Sequence, residues 1–239
     1  MLIFVLSLPT SIKRRKRIKN IMAEHNIDFQ FIDAIDGRKD KHPYLSRYNE
    51  KLFIYNHKRK AMPGELGCYA SHILAWEKCI SINKPIIVLE DDLILNNKSK
   101  KILEYADCIA NKYGYIRLEK TKPKPSILEF EDGRYKLNRY LKVPQCTTGY
   151  SISPSVAKSF IKNSKEIIFP VDVFIRNIFI HKQKIYGLTP YALEANSDGD
   201  TIIGKRSRLK KGLYLSLICS IYKIKNSVLN GYQHLKSSL

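Results

Sequence analysis

Acidic residues are scarce in this 239-residue chain. Against 42 Lys and Arg stand 22 Asp and Glu, a formal charge of +20, and from Gly204 to Leu239 there is no acid at all. So basic a protein is drawn to polyanions, which leaves nucleic acid, an anionic membrane surface and phosphorylated substrates as the classes of partner to decide between. The five cysteines, Cys68, Cys79, Cys108, Cys146 and Cys219, form no CxxC pair or other ligand spacing. That argues against a zinc module and a disulfide framework, and fits a reducing compartment. No apolar run reaches the roughly 18 to 20 residues that a spanning helix requires, so any membrane contact is expected to be peripheral. The opening MLIFVLSLPTSIKRRKR places its apolar stretch before its basic one, the reverse of a secretory leader. No repeat of fixed period is visible. Apolar residues are plentiful, at 44%, enough for a folded core in one large domain or one domain with an appendage.

The pattern alternates strands and helices. Leu2 to Leu8 reads as a buried strand, punctuated by Pro9 and Ser11, and Ile12, Ile18, Ile21 and Met22 follow at helical spacing. Phe29 to Ile35 reads as a second strand stopped by Asp36-Gly37, giving a parallel strand–helix–strand unit. Residues 38 to 62 are polar and basic with scattered aromatics, and read as a long loop rather than a core element. Pro63-Gly64-Glu65 opens a helix running to about Asn83, and Ile86 to Leu89 is a buried strand that ends in Glu90, Asp91 and Asp92. Beyond it the spacing predicts a helix over Ile102 to Ala110, a strand over Tyr113 to Leu118 and a hairpin-like turn at Glu131-Asp132-Gly133-Arg134. A strand over Gly149 to Ser153, a helix from Pro154, one amphipathic helix over Val171 to Ile180 and a last strand over Lys184 to Tyr191 complete the pattern. This predicts an α/β fold with an open, mainly parallel sheet flanked by helices over residues 1–203, and a basic helical segment over 204–239.

Three carboxylates at the end of a buried strand stand out in so basic a chain. In open α/β sheets ligands bind beyond the carboxyl ends of the strands. Like charges this close repel one another, and oxygen ligands suit Mg²⁺ or Mn²⁺ with substrate phosphate completing the coordination. The competing reading is a solvated acidic loop in which Asp91 or Asp92 caps the next helix.

The surrounding strings bear on that choice. Gly64-Glu65-Leu66-Gly67-Cys68, Ser71-His72, Trp76 and Val88 to Asp92 together closely resemble glycosyltransferase family 25, the lipooligosaccharide-biosynthesis transferases. Ser7-Leu8 with Arg14-Arg15, Asp33 to Gly37, Arg117-Leu118-Glu119, Thr148-Gly149-Tyr150-x-Ile152-Ser153 and Pro170-Val171-Asp172 match in order, so the resemblance spans roughly residues 2 to 200. It implies a GT-A-like transferase that moves a hexose, galactose or else glucose, from a UDP-sugar with inversion, its acidic motif gripping Mn²⁺ or Mg²⁺ on the donor diphosphate. Asp92 would be the direct ligand, Glu90 would act through water or touch the ribose, and Asp91, pointing the other way along an extended segment, is the weakest of the three.

The same resemblance places Leu8 and Pro9 beside the nucleotide base, Arg14 or Arg15 near the ribose or diphosphate, and the Asp36-Gly37 turn against the base or ribose. A solvated basic face and a plain turn are the competing accounts. Ser71, His72, Arg117, Glu119, Thr148 and Gly149 fall in matched strings as donor-site candidates. For His72 the alternative is a structural residue; for Arg117 and Glu119, which share a strand face, a structural ion pair. Trp76 reads as packing. Asp172 is the first candidate for the base that takes the acceptor proton, with an ordinary helix cap as its alternative, and Glu65 is the second.

The tail from Gly204 pairs Lys205, Arg206, Arg208, Lys210 and Lys211 with the apolar stretch Leu213 to Tyr222. It reads as an interfacial helix on an anionic membrane, or as a helix docked on the domain with its cations in water. The first suits an enzyme working on a lipooligosaccharide acceptor at the cytoplasmic face of the inner membrane. The rival class, a nucleic-acid-binding protein, has no recognition motif behind it here.

Overall fold

A computed structural model describes residues 1–196 and 212–237. Its main sheet has eight strands in the order β2-β1-β3-β8-β5-β9-β7-β6, where β1 is Ile3–Ser7, β2 Gln30–Asp33, β3 Ile86–Glu90, β5 Tyr115–Arg117, β6 Ser126–Glu131, β7 Lys136–Tyr140, β8 Gly149–Ile152 and β9 Tyr186–Thr189. Six of the eight run one way; β8 and β7 oppose them. The mainly parallel α/β sheet with flanking helices is therefore present, with a reversed strand at its centre. The helices are α1 (Ile12–Glu24), α2 (Glu50–His57), α3 (Pro63–Ile82), α4 (Ser99–Tyr113), α5 (Pro154–Lys162), α6 (Val171–Arg176), α7 (Ile178–His181) and α8 (Leu213–Lys236).

The continuous apolar strands are explained by burial on both faces. Side chains alternate across a strand, so Phe4 and Leu6 of β1 and Ile86 and Val88 of β3 join one core layer with Tyr69, Ile73 and Trp76 of α3 and Phe160 of α5. Ile3, Val5, Ile87 and Leu89 join the other layer, with Ile18 and Met22 of α1 and Ile102 and Leu103 of α4. Trp76, fully buried, is packing as expected.

Two sequence expectations are corrected. Residues 38 to 62 are not simply loop: a 3₁₀ turn (Pro43–Arg47) and α2 form there, α2 capped by Asn49 accepting the Leu52 N–H at 3.0 Å, and Phe53 is fully buried. The polar bulk of the segment hid one core aromatic. The single helix expected over 171–180 is two, broken where Asn177 leaves helical geometry (φ −86°, ψ 73°). A small second sheet, β4 (Leu93–Leu95) against β10 (Leu193–Ala195), was not foreseen. It lies directly after the acidic triplet and holds its exit.

The expected boundary between residues 203 and 204 lies outside the described residues. The tail helix α8 packs on α2 and α7, with Cys219 buried and Asn226 and Asn230 donating to Asn56 and Asn177 at 2.8 Å each. Among the described residues no helix is long and apolar enough to cross a membrane.

Candidate active site

The alternation that builds the core also sorts the acidic triplet. Glu90 continues the side of Val88, toward α3; Asp91 continues the side of Leu89, toward α1. There Asp91 is buried and fully engaged, one carboxylate oxygen accepting from Ser7 Oγ at 2.6 Å and the other from Arg14 at 2.8 Å. Arg17 donates to the Asp91 carbonyl at 3.2 Å and also reaches that of Leu93. Asp91 therefore anchors β3 to β1 and α1, and it holds Arg14 at the strand ends.

Glu90 meets His72, whose Nε2 lies 3.2 Å from Glu90 Oε1, and Thr147, whose hydroxyl donates to the same oxygen at 2.6 Å. The far side of His72 is fixed too. Trp76 Nε1 donates to the Tyr150 hydroxyl at 3.0 Å, and that hydroxyl lies 2.8 Å from His72 Nδ1. Indole N–H is only a donor; with Tyr150 passing its own hydrogen to Nδ1 and His72 presenting Nε2–H to Glu90, every member of the chain is satisfied. Burial opposes ionisation of Glu90, but His72, Thr147 and the Arg14 charge outweigh it and hold the carboxyl below its usual value. Both bonds fall on Oε1, so Oε2 keeps its acceptor capacity.

Asp92 differs from its neighbours. Its Oδ1 is buried with no hydrogen-bond partner among the described residues. Burial first, and the Glu90 charge next, push its carboxyl up to about 6. A buried carboxylate oxygen without a donor, beside another carboxylate, fits a divalent cation, and Asp92 with Glu90 is the pair that would hold one. Cys68, His72 and Glu90 also place a sulfur, a nitrogen and an oxygen within 4.8 Å of one another. The hydrogen bond between His72 and Glu90 accounts for two of the three.

Acidic groups converge around Cys68. Its thiol is pushed well above the ordinary value by burial, then by the charges of Glu90, Asp172, Asp92 and Glu65 in that order. Asp172, in the first turn of α6, has its Oδ1 accepting the Val173 N–H at 2.9 Å. Glu65 is buried and clasped by Arg59 through two bonds, 2.6 and 2.7 Å, and accepts the Met62 N–H at 3.0 Å. That arrangement starts α3 and leaves little capacity for taking a proton.

The remaining candidates divide. Arg15 donates to the Ser7 carbonyl at 2.7 Å and the Leu8 carbonyl at 3.2 Å, pairs with Asp33 and stacks over Phe31, so it ties β1 to β2. Leu8 and Pro9 cross the lip of the sheet, half-buried and exposed. Ser71 accepts the Ile35 N–H at 2.8 Å and donates to the Gly67 carbonyl at 2.7 Å. Asp36 closes its own turn, accepting the Arg38 N–H at 3.0 Å. A Cβ on Gly37 would overlap the Pro63 carbonyl and sit 2.9 Å from the Gly67 N. Gly37→Ala is therefore expected to lower stability by about 1 to 3 kcal/mol by prising this turn from α3, read as a lower Tm in thermal denaturation. Arg117 and Glu119 are buried and paired with each other, Arg117 also donating to the Pro144 carbonyl at 3.0 Å. Thr148 passes its carbonyl to the Glu90 N–H at 2.9 Å, and Gly149 leaves room for Leu89 and Leu193.

Ser7, Thr147, Cys68 and Tyr150 were not singled out for the site by sequence reasoning. Ser7, Cys68 and Tyr150 lie inside the matched strings, so their position was the available signal; Thr147, one residue before such a string, carried none. The loop holding Thr147 also borders an open groove of about 270 Å³ lined by Lys120, Lys122, Lys124, Gln145, Cys146 and Arg176.

A putative glycosyltransferase of Haemophilus influenzae (strain ATCC 51907 / DSM 11121 / KW20 / Rd) is 30% identical over 200 residues, covering 78% of this chain and 67% of that protein. The lipooligosaccharide biosynthesis protein lic2B of Haemophilus influenzae is 25% identical over 201 residues, 78% of this chain and 73% of its own. Mouse procollagen galactosyltransferase 2 is 25% identical over 191 residues, 72% of this chain but 29% of its own. A crystal structure of a glycosyltransferase involved in glycosylation of the major capsid of PBCV-1 overlays at a TM-score of 0.43 and 13% identity, covering 84% of this chain and 96% of that one. The model of glycosyltransferase family 25 (LPS biosynthesis protein) matches residues 1–175, which include the whole triplet, its partners on α1 and α3, and Asp172; the chain belongs to that family.

Proposed function

We propose that the protein is an inverting, metal-dependent hexosyltransferase that moves galactose, or else glucose, from a UDP-sugar to a lipooligosaccharide acceptor at the cytoplasmic face of the membrane. The observation that carries this reading is the buried Oδ1 of Asp92 at the carboxyl end of β3, which has no hydrogen-bond partner among the described residues. The name of lic2B supports the acceptor, and that of procollagen galactosyltransferase 2 supports the sugar. Family membership favours a transferase over a nucleic-acid-binding protein, a choice that net charge alone left open.

Asp92 would hold Mn²⁺ or Mg²⁺, with Glu90 supporting it. Such a cation supplies Lewis-acid stabilisation of the negative charge that develops on the leaving diphosphate. Arg14, kept at the strand ends by Asp91, adds a fixed positive charge toward that side. Asp172 takes the proton of the acceptor hydroxyl as its oxygen attacks the anomeric carbon and the bond to the diphosphate breaks. The lysine- and arginine-lined groove beside Cys146 suits an acceptor that carries phosphate.

The test is UDP release from a panel of UDP-sugars with Mn²⁺, Mg²⁺ or chelator. Metal-dependent release from UDP-galactose or UDP-glucose is expected, and no release from any sugar with either metal would overturn the reading. Thr147→Val, which removes the donor on Glu90 Oε1, is expected to raise the metal concentration for half-maximal release by about 10-fold. A titration of activity against metal measures this.

A further inference from the structure

α8 carries apolar residues on both sides. Toward the domain it turns Asn226, Asn230 and Cys219, with Leu215, Ile218, Tyr222 and Leu229 half-buried beside them. Toward solvent it presents Tyr214, Leu217, Ile221, Ile224, Val228, Tyr232 and Leu235, each more than half exposed, Leu217 at 61% and Val228 at 64%. Steps of three and four residues bring all seven onto one stripe along the whole helix. The sequence offered a docked helix and an interfacial helix as alternatives. One face docks on α2 and α7, and the opposite face remains apolar and uncovered by any described residue.

We propose that this stripe is seated in an anionic bilayer surface. Charge selects that occupant. Residues 204 to 239 carry Lys205, Arg206, Arg208, Lys210, Lys211, Lys223, Lys225 and Lys236 and no Asp or Glu, and each cation near an anionic surface contributes about 1 kcal/mol. A second copy of the chain would bring a like charge of +20 against the first, with no acid on α8 to pair with Lys223 or Lys225 across a helix seam. Tyr214 and Tyr232, near the two ends of the stripe, suit the headgroup level. The helix would lie in the plane of the surface, with α2 and α7 behind it. This deepens the reading above, since it puts the enzyme where a lipid-linked acceptor is, but its test needs no sugar.

The experiment is co-sedimentation of the full chain with vesicles of phosphatidylcholine alone or in equal parts with phosphatidylglycerol, alongside light scattering for the mass in solution. Binding to the anionic vesicles only, weakened by salt, is expected. The variant Leu217→Ser/Ile224→Ser/Val228→Ser alters exposed positions only. It should retain its Tm and its UDP release and weaken vesicle binding about 10-fold or more. Equal binding to both vesicles, unchanged binding of the variant, or a solution dimer that the variant dissociates would overturn the proposal. Vesicle binding without UDP release from any UDP-sugar would sink the transferase reading and leave this one standing; the converse result separates them equally.

Discussion

Asp92→Asn is expected to reduce metal-dependent UDP release by about 10²- to 10³-fold, the scale on which removal of one group that stabilises transition-state charge is felt, while raising Tm in chelator. The two effects have one cause. Asp92 buries a carboxylate oxygen that no described donor satisfies, next to the Glu90 charge, so the folded state without metal bears a penalty that asparagine removes. The pH dependence follows from the sign of the shift. A carboxyl raised from 3.8 to about 6 by burial and Glu90 is protonated in both folded and unfolded states below pH 3.8 and exacts nothing there. The penalty grows between pH 3.8 and about 6 and is full above that. With solvent screening it amounts to about 1 to 2 kcal/mol at neutral pH. The asparagine variant should therefore exceed the parent in Tm at pH 7 and lose that advantage by pH 4, as followed by thermal denaturation across pH. A variant with undiminished UDP release would remove Asp92 from the site; one with lower Tm at pH 7 would show that Oδ1 has a partner after all.

The second large effect concerns Arg59 and Glu65. Arg59→Met strands a buried carboxylate at the start of α3, and breaking such a pair is expected to destabilise by about 3 to 5 kcal/mol, or about 10 °C in Tm for a chain of this size. The double variant Arg59→Met/Glu65→Met leaves no charge unpaired and should recover most of that loss. It also decides a role. If Glu65 only holds the helix start, kcat per folded molecule of the double variant stays within a few-fold of the parent. Were it the proton acceptor, kcat would stay down by about 10² to 10⁴ even in the stable double variant. The clasp by Arg59 favours the first outcome, and the same kcat assay on Asp172→Asn tests the other candidate.

Much of the fold was legible because its signals are local. β1 and β3 are uninterrupted apolar runs, which only a strand buried on both faces tolerates, and α3 opens on Pro63 with Glu65 three residues after its cap. The failures were local ambiguities resolved at a distance. Phe53 looked like one aromatic in a polar stretch, but the folded segment closes Tyr48, His57 and Arg59 around it, and α2 itself packs on α8, far along the chain. The reversal of β8 between β3 and β5 leaves no trace in the Gly149–Ile152 run, since an apolar strand reads alike in both directions.

The acidic triplet shows the same division. That three carboxylates leave the end of a buried strand, and that successive ones face opposite ways, follows from the sequence and the two-residue period of extended backbone. Which of them is neutralised does not. Asp91 is quenched by Ser7 and Arg14, 84 and 77 residues away, and Glu90 is braced by His72 and Thr147 from two other elements. Asp92 is left with a buried oxygen that has no donor among the described residues. Likewise the acid-free composition of the tail was plain from the start, but only docking on α2 and α7 determined which side turns inward and which apolar stripe is left outward. Period and composition are carried by neighbouring residues; the pairing of a charge depends on what the fold brings beside it.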